Sequence, residues 1–63
     1  MTFQEKMEAI SSLALDASKA EKEGKVTPAL NYICAIETFA HSAKKEINKK
    51  ILFGKVEVNY EQN

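Results

Sequence analysis

A helix stop and a helix start lie close together near the middle of this 63-residue chain, in the stretch AEKEGKVTPAL. Gly24 adopts positive φ at little steric cost, which suits the position just after a helix. Thr27 and Pro28 are typical of an N-cap and of the first helical position. Because so few residues join the two segments, they are predicted to lie antiparallel as neighbours.

The segment before Gly24 is predicted to be a helix over about residues 3–23, with Thr2 and Glu5 spaced as a capping box. Its apolar residues recur at steps of three and four, which predicts a single apolar face. That face consists of Phe3, Met7, Ile10, Ala14 and Ala17, flanked by Leu13 and Ala20. Since these side chains shrink toward the joint, we expect the helices to approach most closely there.

The segment after the joint is predicted to be a helix over about residues 28–52. The row expected to face the first helix is Ala29, Ile33, Ile36, Ala40, Ala43 and Ile47. A second apolar row, Tyr32, Ala35 and Phe39, lies along one side of this first row. Leu30 and Cys34 lie along the other side of the first row. The resulting apolar arc is wider than one neighbouring helix covers.

Two structures are compatible with the C-terminal stretch around residues 51–60. The favoured one continues the helix to about Leu52 and stops it at Gly54, leaving residues 54–63 as a short extended tail. The alternative is a hairpin with Gly54 and Lys55 in its turn. An isolated extended tail would dock on the helices, pair with a copy of itself, or add to a partner's sheet.

A chain of 63 residues forms one small domain, residues 1–63, and buries only about 60% of its unfolded surface. Its single cysteine, Cys34, excludes an intramolecular disulfide, so oligomerisation or a partner is expected. Cys34 itself is predicted to be a buried core residue in a reducing compartment. The predicted fold is an all-α antiparallel helical hairpin with a short extended C-terminal tail, doubled into a dimeric four-helix bundle.

Several apolar residues remain after the two helices are paired. Leu15 lies among serines and lysines on the expected wet side of the first helix. Together with the second row and the alternating tail, it predicts a partner or dimer interface. The predicted interface residues are Leu15, Tyr32, Ala35, Phe39, Val56, Val58 and Tyr60.

All of the nine cationic residues are lysine, and nine acidic residues balance them. Without arginine, planar bidentate recognition of phosphate or guanine is excluded. A lysine cluster lies toward the C-terminus: Lys44, Lys45, Lys49, Lys50 and Lys55. These lysines are predicted to interact favourably with the negative end of the helix dipole and to face the acidic residues of the first helix. Contact with a polyanion is the alternative.

Cys34, Glu37 and His41 form the one constellation of chemically active residue types, at spacings of three and four on a helix. Three ligands from one helix make a poor metal cage without a fourth from elsewhere. Glu37 and His41 are equally an ordinary solvated pair. We therefore expect no metal, no cofactor and no enzymatic activity.

The run AISSLALDASKAEKEGKVTPALNYICAIETFAHSAKKE resembles the helix pair of tetratricopeptide repeats and of microtubule-interacting and trafficking domains. In that pattern, a small residue in the first helix and a glycine turn are followed by an aromatic residue, for which this chain has Val26, and then by alanine and an aliphatic residue that open the second helix. The matching positions are Ala17, Gly24, Val26, Ala29 and Leu30. The resemblance implies that a helical groove binds a peptide or protein.

The N-terminal MTFQEKMEAI carries two glutamates and no long apolar block. We therefore expect neither a signal peptide nor a membrane span, and a cytoplasmic location. The predicted function is that of a small non-enzymatic interaction module, an adaptor, regulator or inhibitor that binds a partner protein or itself. The alternative is a dimeric hairpin that binds structured RNA through the lysine cluster.

Overall fold

Two helices make up the described part of the chain, residues 1–54 of a computed structural model. Helix α1 spans Phe3–Lys22 and helix α2 spans Val26–Leu52, and the two pack against each other as an antiparallel hairpin. Because only α1 and α2 pack together in residues 1–54, this part of the chain is a slab one helix thick. The predicted all-α hairpin is confirmed for these residues, whereas the predicted extended tail beyond Gly54 lies outside them.

Helix α1 begins with the predicted capping box. The Glu5 amide donates to the Thr2 hydroxyl oxygen at 3.1 Å, and the Thr2 amide donates to the Glu5 carboxylate at 2.8 Å. This second bond favours the ionised carboxylate and holds the pKa of Glu5 below its ordinary value. Two amides that the helix leaves without an internal acceptor are thus satisfied, which fixes where α1 starts.

The joint is a Schellman motif centred on Gly24. Gly24 has φ +77°, its amide donates to the Glu21 carbonyl at 3.0 Å, and the Lys25 amide donates to the Ala20 carbonyl at 2.8 Å. These two bonds satisfy the last carbonyls of α1 and turn the chain back on itself. The predicted role of Gly24 just after the first helix is confirmed.

The predicted start of α2 is wrong by two residues. The helix begins at Val26, and its first internal bond runs from the Ala29 amide to the Lys25 carbonyl at 3.1 Å. Lys25 is the N-cap, and no side chain caps this end within the described residues. Pro28 is tolerated one turn inside because the first helical amides have no acceptor in any case. The Schellman motif sets the direction of the chain at Lys25 and leaves no room for a longer turn.

The other end of α2 follows the favoured prediction. The helix ends at Leu52, the Phe53 amide donates to the Lys49 carbonyl at 3.0 Å, and Gly54 has φ +71°. Ile51 is therefore helical, which excludes the alternative in which it begins a hairpin strand.

The row that faces the partner helix differs from the predicted row on both helices. On α1 the buried and half-buried positions are Phe3, Lys6, Ala9, Ile10, Leu13, Ala17 and Ala20. On α2 they are Ala29, Tyr32, Ala35, Ile36, Phe39, Ser42, Ala43 and Glu46. The predicted Ala14, Ile33, Ala40 and Ile47 are exposed instead.

This difference amounts to a small rotation of each helix about its axis. Two rows on α2 both step by three and four residues and share Ala29, Ile36 and Ala43, so periodicity does not distinguish them. Packing selects the row that contains the aromatic residues Tyr32 and Phe39. The contact row on α1 contains a charged residue, Lys6, so a search for apolar residues at helical spacing does not find this row.

The interior between the helices is small. Among residues 1–54, the buried side chains are those of Ala17, Ala20 and Ala43, at 7%, 6% and 5% exposure. Alanines let two helices approach closely, but they remove little apolar area from water. The large aliphatic side chains of the described residues are left half-buried or exposed.

Neither α1 nor α2 contains a segment that is both long enough and apolar enough to cross a membrane.

Candidate interaction surface

One broad side of the hairpin is aliphatic. Ile33 and Ile47 are 44% and 40% exposed, and Ile51 and Met7 are each 36% exposed. With the exposed Leu30 and Ala40, these residues form what we call the aliphatic face: Met7, Leu30, Ile33, Ala40, Ile47 and Ile51. Exposed leucines occur singly on most proteins, but a row of apolar residues of this length is uncommon on the surface of a monomeric protein.

A groove of about 410 Å³ lies in this face near the open end of the hairpin. Both helices contribute to its walls, which are Phe3, Met7, Ile10, Ala40, Ala43, Lys44, Ile47 and Asn48. Its floor is apolar because Ala43 is small and lets a neighbouring side chain approach the helix axis. The groove therefore accepts an apolar side chain from another molecule.

The aliphatic face follows from a second periodic row on α2. Ile33, Ala40 and Ile47 are seven residues apart, and Leu30 and Ile51 extend the same row at steps of three and four. Seven residues are close to two turns of helix, so these side chains lie along one line. This line runs beside the row that packs on α1, so α2 has two apolar stripes, and α1 covers one of them in residues 1–54.

An ion pair closes the open end of the hairpin. The Lys6 ammonium donates to the Glu46 carboxylate, and the Lys6 side chain is 11% exposed. The hydrogen bond from Lys6 is the main reason why the pKa of Glu46 lies below its ordinary value, and the charge of Lys50 acts in the same direction. The pair fixes the register of α1 against α2 next to the groove.

The predicted interface residues fall into three groups. Tyr32, Ala35 and Phe39 are half-buried in the hairpin and are not on the aliphatic face. Leu15 is 73% exposed, and its position about half a turn from Ala17 places it on the outer side of α1. The tail residues Val56, Val58 and Tyr60 lie outside the described part of the chain.

Cys34 is exposed, so the prediction of a buried thiol is wrong. It lies on the outer side of α2, because the row that packs on α1 is rotated away from it. In the described range 1–54, no three His, Cys, Asp or Glu side chains come together as a group that would hold a metal ion. Glu37 and His41 are exposed beside Cys34 on α2.

The lysine cluster is exposed on the last turns of α2, as far as Lys50. The ion pairs formed within residues 1–54 are Lys6 with Glu46 and Lys25 with Glu23. Neither pair joins the cluster to the acidic residues of α1, so no direct ion pair links the two groups within residues 1–54. Lys55, the last member of the cluster, lies outside the described residues.

The opposite broad side of the hairpin is polar near the joint. A shallow pocket of about 430 Å³ there is walled mainly by charged residues, together with Ala20, Pro28 and Tyr32. Its charged walls are Asp16, Lys19, Glu23 and Lys25. The two sides of the slab therefore differ in chemistry: one is aliphatic and the other is polar near the joint.

Sequence reasoning missed the aliphatic face although its signal was present. Met7, Ile33, Ala40 and Ile47 were assigned to the contact between the helices, because their row is the more aliphatic of the two. The signal was the presence of two parallel rows on α2. The row containing Tyr32 and Phe39 packs inside the hairpin, which leaves the other row for a second molecule.

No protein-family model matches this sequence, and neither the curated proteins nor the solved structures give a match.

Proposed function

We propose that this chain is a small non-enzymatic protein-interaction module, an adaptor, regulator or inhibitor that acts by occupying the surface of a partner protein through its aliphatic face. One observation carries the proposal. Its buried side chains within residues 1–54 are three alanines, while Ile33, Ile47 and Leu30 face outward.

Energetics support this assignment. Apolar surface removed from water stabilises by roughly 25 cal/mol per Å². In residues 1–54 only alanines are buried and the larger apolar side chains between the helices are half-buried, so the hairpin uses only part of the apolar surface it carries. Docking further helices on the aliphatic face turns the pair into a bundle with large aliphatic residues inside. The occupied form is therefore expected to be a four-helix arrangement, and a dimer of this chain is the simplest way to reach it.

The way a helical partner would bind is suggested by the groove. An amphipathic helix binds such a surface by inserting apolar anchors one turn apart. The groove between Met7 and Ile47 accepts one anchor, and the surface beside Ile33 accepts another. The resemblance to tetratricopeptide and microtubule-interacting helix pairs, itself a prediction, agrees with binding of a helix or peptide.

We also place the protein in the cytoplasm. An exposed lone thiol such as Cys34 persists unpaired in a reducing compartment.

Photo-crosslinking tests the proposed function. A photoreactive amino acid is placed at the exposed Ala40, the centre of the aliphatic face, and the full chain is irradiated in cell lysate. We expect adducts with a definite protein, which can be this chain itself, identified by mass spectrometry. Adding Ile47→Lys should reduce the adducts, since a lysine ammonium does not enter an apolar groove.

The matched control carries the same photoreactive residue at the exposed Lys45 on the other side of α2. This control should give no specific adduct. Equal labelling from both positions, or adducts that persist with Ile47→Lys, would contradict the proposed function.

Polyanion binding by the lysine cluster is the second candidate. It is favoured by the exposure of Lys44, Lys45, Lys49 and Lys50 without an ion pair to α1 within the described residues. A gel shift with structured RNA tests it, and binding must weaken steeply as salt rises because counterions are released. Lack of a shift at low salt would remove this candidate.

A further inference from the structure

We propose that the occupant of the aliphatic face is a second copy of this chain, related by a two-fold axis that passes beside Ala40, with the two α2 helices antiparallel. This inference rests on the proposed function and makes it specific: it names the partner, the contact line and the symmetry.

The residues on this line are symmetric about Ala40. Ile33 and Ile47 lie seven residues before and after it, and Leu30 and Ile51 lie ten before and eleven after. When two α2 helices cross antiparallel at Ala40, Ile33 of each copy meets Ile47 of the other. The same arrangement brings Leu30 of each copy opposite Ile51. A symmetric dimer requires such self-complementarity of a surface patch.

Charge follows the same symmetry with opposite sign. Glu37 lies three residues before Ala40, and Lys44 lies four residues after it; both are exposed. In the antiparallel pair, Glu37 of each copy lies beside Lys44 of the other, which gives two equivalent ion pairs across the axis. A parallel pair would instead place Glu37 beside Glu37 and Lys44 beside Lys44. Like charges in register disfavour that arrangement, so charge selects the antiparallel one.

Side-chain size also favours contact at this point. Ala40 is the smallest residue of the line and lies at its centre, so the two α2 helices can approach closely there. On α1, the exposed residues that follow Met7 along its line are small as far as Ser18, namely Ser11, Ala14 and Ser18, and Glu21 lies beyond them near the joint. Helix α1 therefore does not hold the two copies apart.

The contact line is long. Helix α2 has 27 residues and is therefore about 40 Å long, so two α2 helices that cross antiparallel can contact each other over several turns. Stacking two slabs on their aliphatic sides yields a four-helix bundle in which the polar sides remain in water. The bundle gains an interior of isoleucine, leucine and methionine.

Disulfide trapping tests the position of the axis. The full-length Cys34→Ser chain carries Ala40→Cys, and the matched control carries Lys45→Cys in the same background. A two-fold axis at residue 40 brings the two introduced thiols within disulfide reach, whereas those at residue 45 point away. Mild oxidation should therefore convert most of the Ala40→Cys protein to a covalent dimer and leave the control largely uncrosslinked.

Charge reversal tests the pairing itself by sedimentation equilibrium. Glu37→Lys alone and Lys44→Glu alone each place like charges across the axis twice, and each should raise the dimer dissociation constant about tenfold or more. Combining both changes restores opposite charges, so the dissociation constant should return close to that of the unmodified chain. Restoration in the double variant distinguishes a specific pair from a general loss of folding.

The outcomes separate this inference from the proposed function. A purified chain that stays monomeric, equal crosslinking at residues 40 and 45, or a double variant no tighter than the single ones would each overturn the second copy as the occupant. If that monomer still gives Ala40 adducts with a different protein in lysate, the proposed function stands without the dimer. If the lysate adducts are absent as well, both proposals fail.

Discussion

The Lys6–Glu46 ion pair is the most informative contact between individual residues. It joins a helix position that otherwise carries apolar residues on α1 to the corresponding position on α2. A half-buried ion pair adds little net stability, because desolvation opposes the attraction, but it disfavours registers in which either charge lacks a partner. We therefore regard this pair as the contact that fixes the alignment of the two helices.

The pair predicts a specific response of stability to pH. The folded-state pKa of Glu46 lies below the ordinary glutamate value of 4.5, so the pair stabilises the fold above that pH. This stabilisation is lost as the pH falls through the folded-state pKa. The melting temperature of the unmodified chain should exceed that of Glu46→Gln at pH 7; the difference should shrink as the pH falls below 4.5 and vanish below the folded-state pKa.

Glu8→Gln is the matched control for this measurement, because Glu8 is exposed and forms no ion pair within the described residues. Its melting temperature should follow that of the unmodified chain at every pH. Glu5 also titrates with a lowered pKa, but it does so equally in all three proteins and cancels in the comparison. If the difference in melting temperature between the unmodified chain and Glu46→Gln did not change with pH, the Lys6–Glu46 pair would not be the source of the pH dependence.

At the scale of the helical element, Gly24 is the position least tolerant of a side chain. A Cβ placed there meets nothing within 4 Å, so the effect of a substitution comes from φ +77° alone. Gly24→Ala should lower the free energy of unfolding by about 1–2 kcal/mol, since an L-residue is strained in the left-handed region. Urea unfolding at fixed protein concentration measures this cost.

Gly24→Asn is the informative comparison, because asparagine tolerates the left-handed conformation better than alanine does. It should lose clearly less stability than Gly24→Ala. Equal losses for the two variants would indicate that space, not backbone conformation, limits this position.

Contact between the helices predicts a second effect at this scale. Ala17 is 7% exposed, so Ala17→Leu must push α2 away from α1 or adopt a strained rotamer. Overpacking of this kind costs typically about 1–3 kcal/mol. Ser12→Leu adds the same side chain at an exposed position of α1 and should have little effect on urea unfolding. Comparable losses for the two would mean that Ala17 is not a close contact.

The helices themselves were largely predictable from local chemistry. Capping at Thr2 and the stops at Gly24 and Gly54 depend on interactions within a few residues, which a sequence displays directly. The start of α2 was not predicted correctly. The hydrogen bond from the Lys25 amide to the Ala20 carbonyl sets the direction of the chain before Thr27 is reached. The rotation of each helix was also missed, because it depends on packing across the pair and not on periodicity.

At the scale of the whole molecule, the hairpin is predicted to depend on a second molecule for its stability. If two copies associate, the melting temperature should rise with protein concentration, because mass action favours the dimer. Ile33→Lys should abolish this dependence, since it places a charge opposite Ile47 of the other copy in the proposed contact. Thermal unfolding followed by circular dichroism at several concentrations measures both effects.

Leu15→Lys is the matched control, because Leu15 is 73% exposed and lies away from the aliphatic face. It should melt with the same concentration dependence as the unmodified chain. Loss of that dependence in Leu15→Lys, with Ile33→Lys unaffected, would move the contact to the outer side of α1.

The candidate site was predictable in kind but not in location. An excess of apolar residues over what two helices hide is visible in the composition of α2, and it indicated a partner. The sequence did not show which of these residues stay exposed. Tyr32 and Ile33 are neighbours, and the rotation of α2 about its axis decides which of the two packs on α1. Because the contact row on α1 contains Lys6, the row predicted instead had the more regular apolar pattern.

The Schellman joint also has a kinetic consequence. Because only Glu23, Gly24 and Lys25 separate the helices, α1 finds α2 by closing a very short loop, and proteins dominated by such local contacts fold in microseconds to milliseconds. The union of two chains has no such shortcut, since its rate depends on diffusional encounter. If two copies associate as proposed, refolding should therefore show a slower phase whose rate increases with protein concentration, and that phase would measure the association at the aliphatic face.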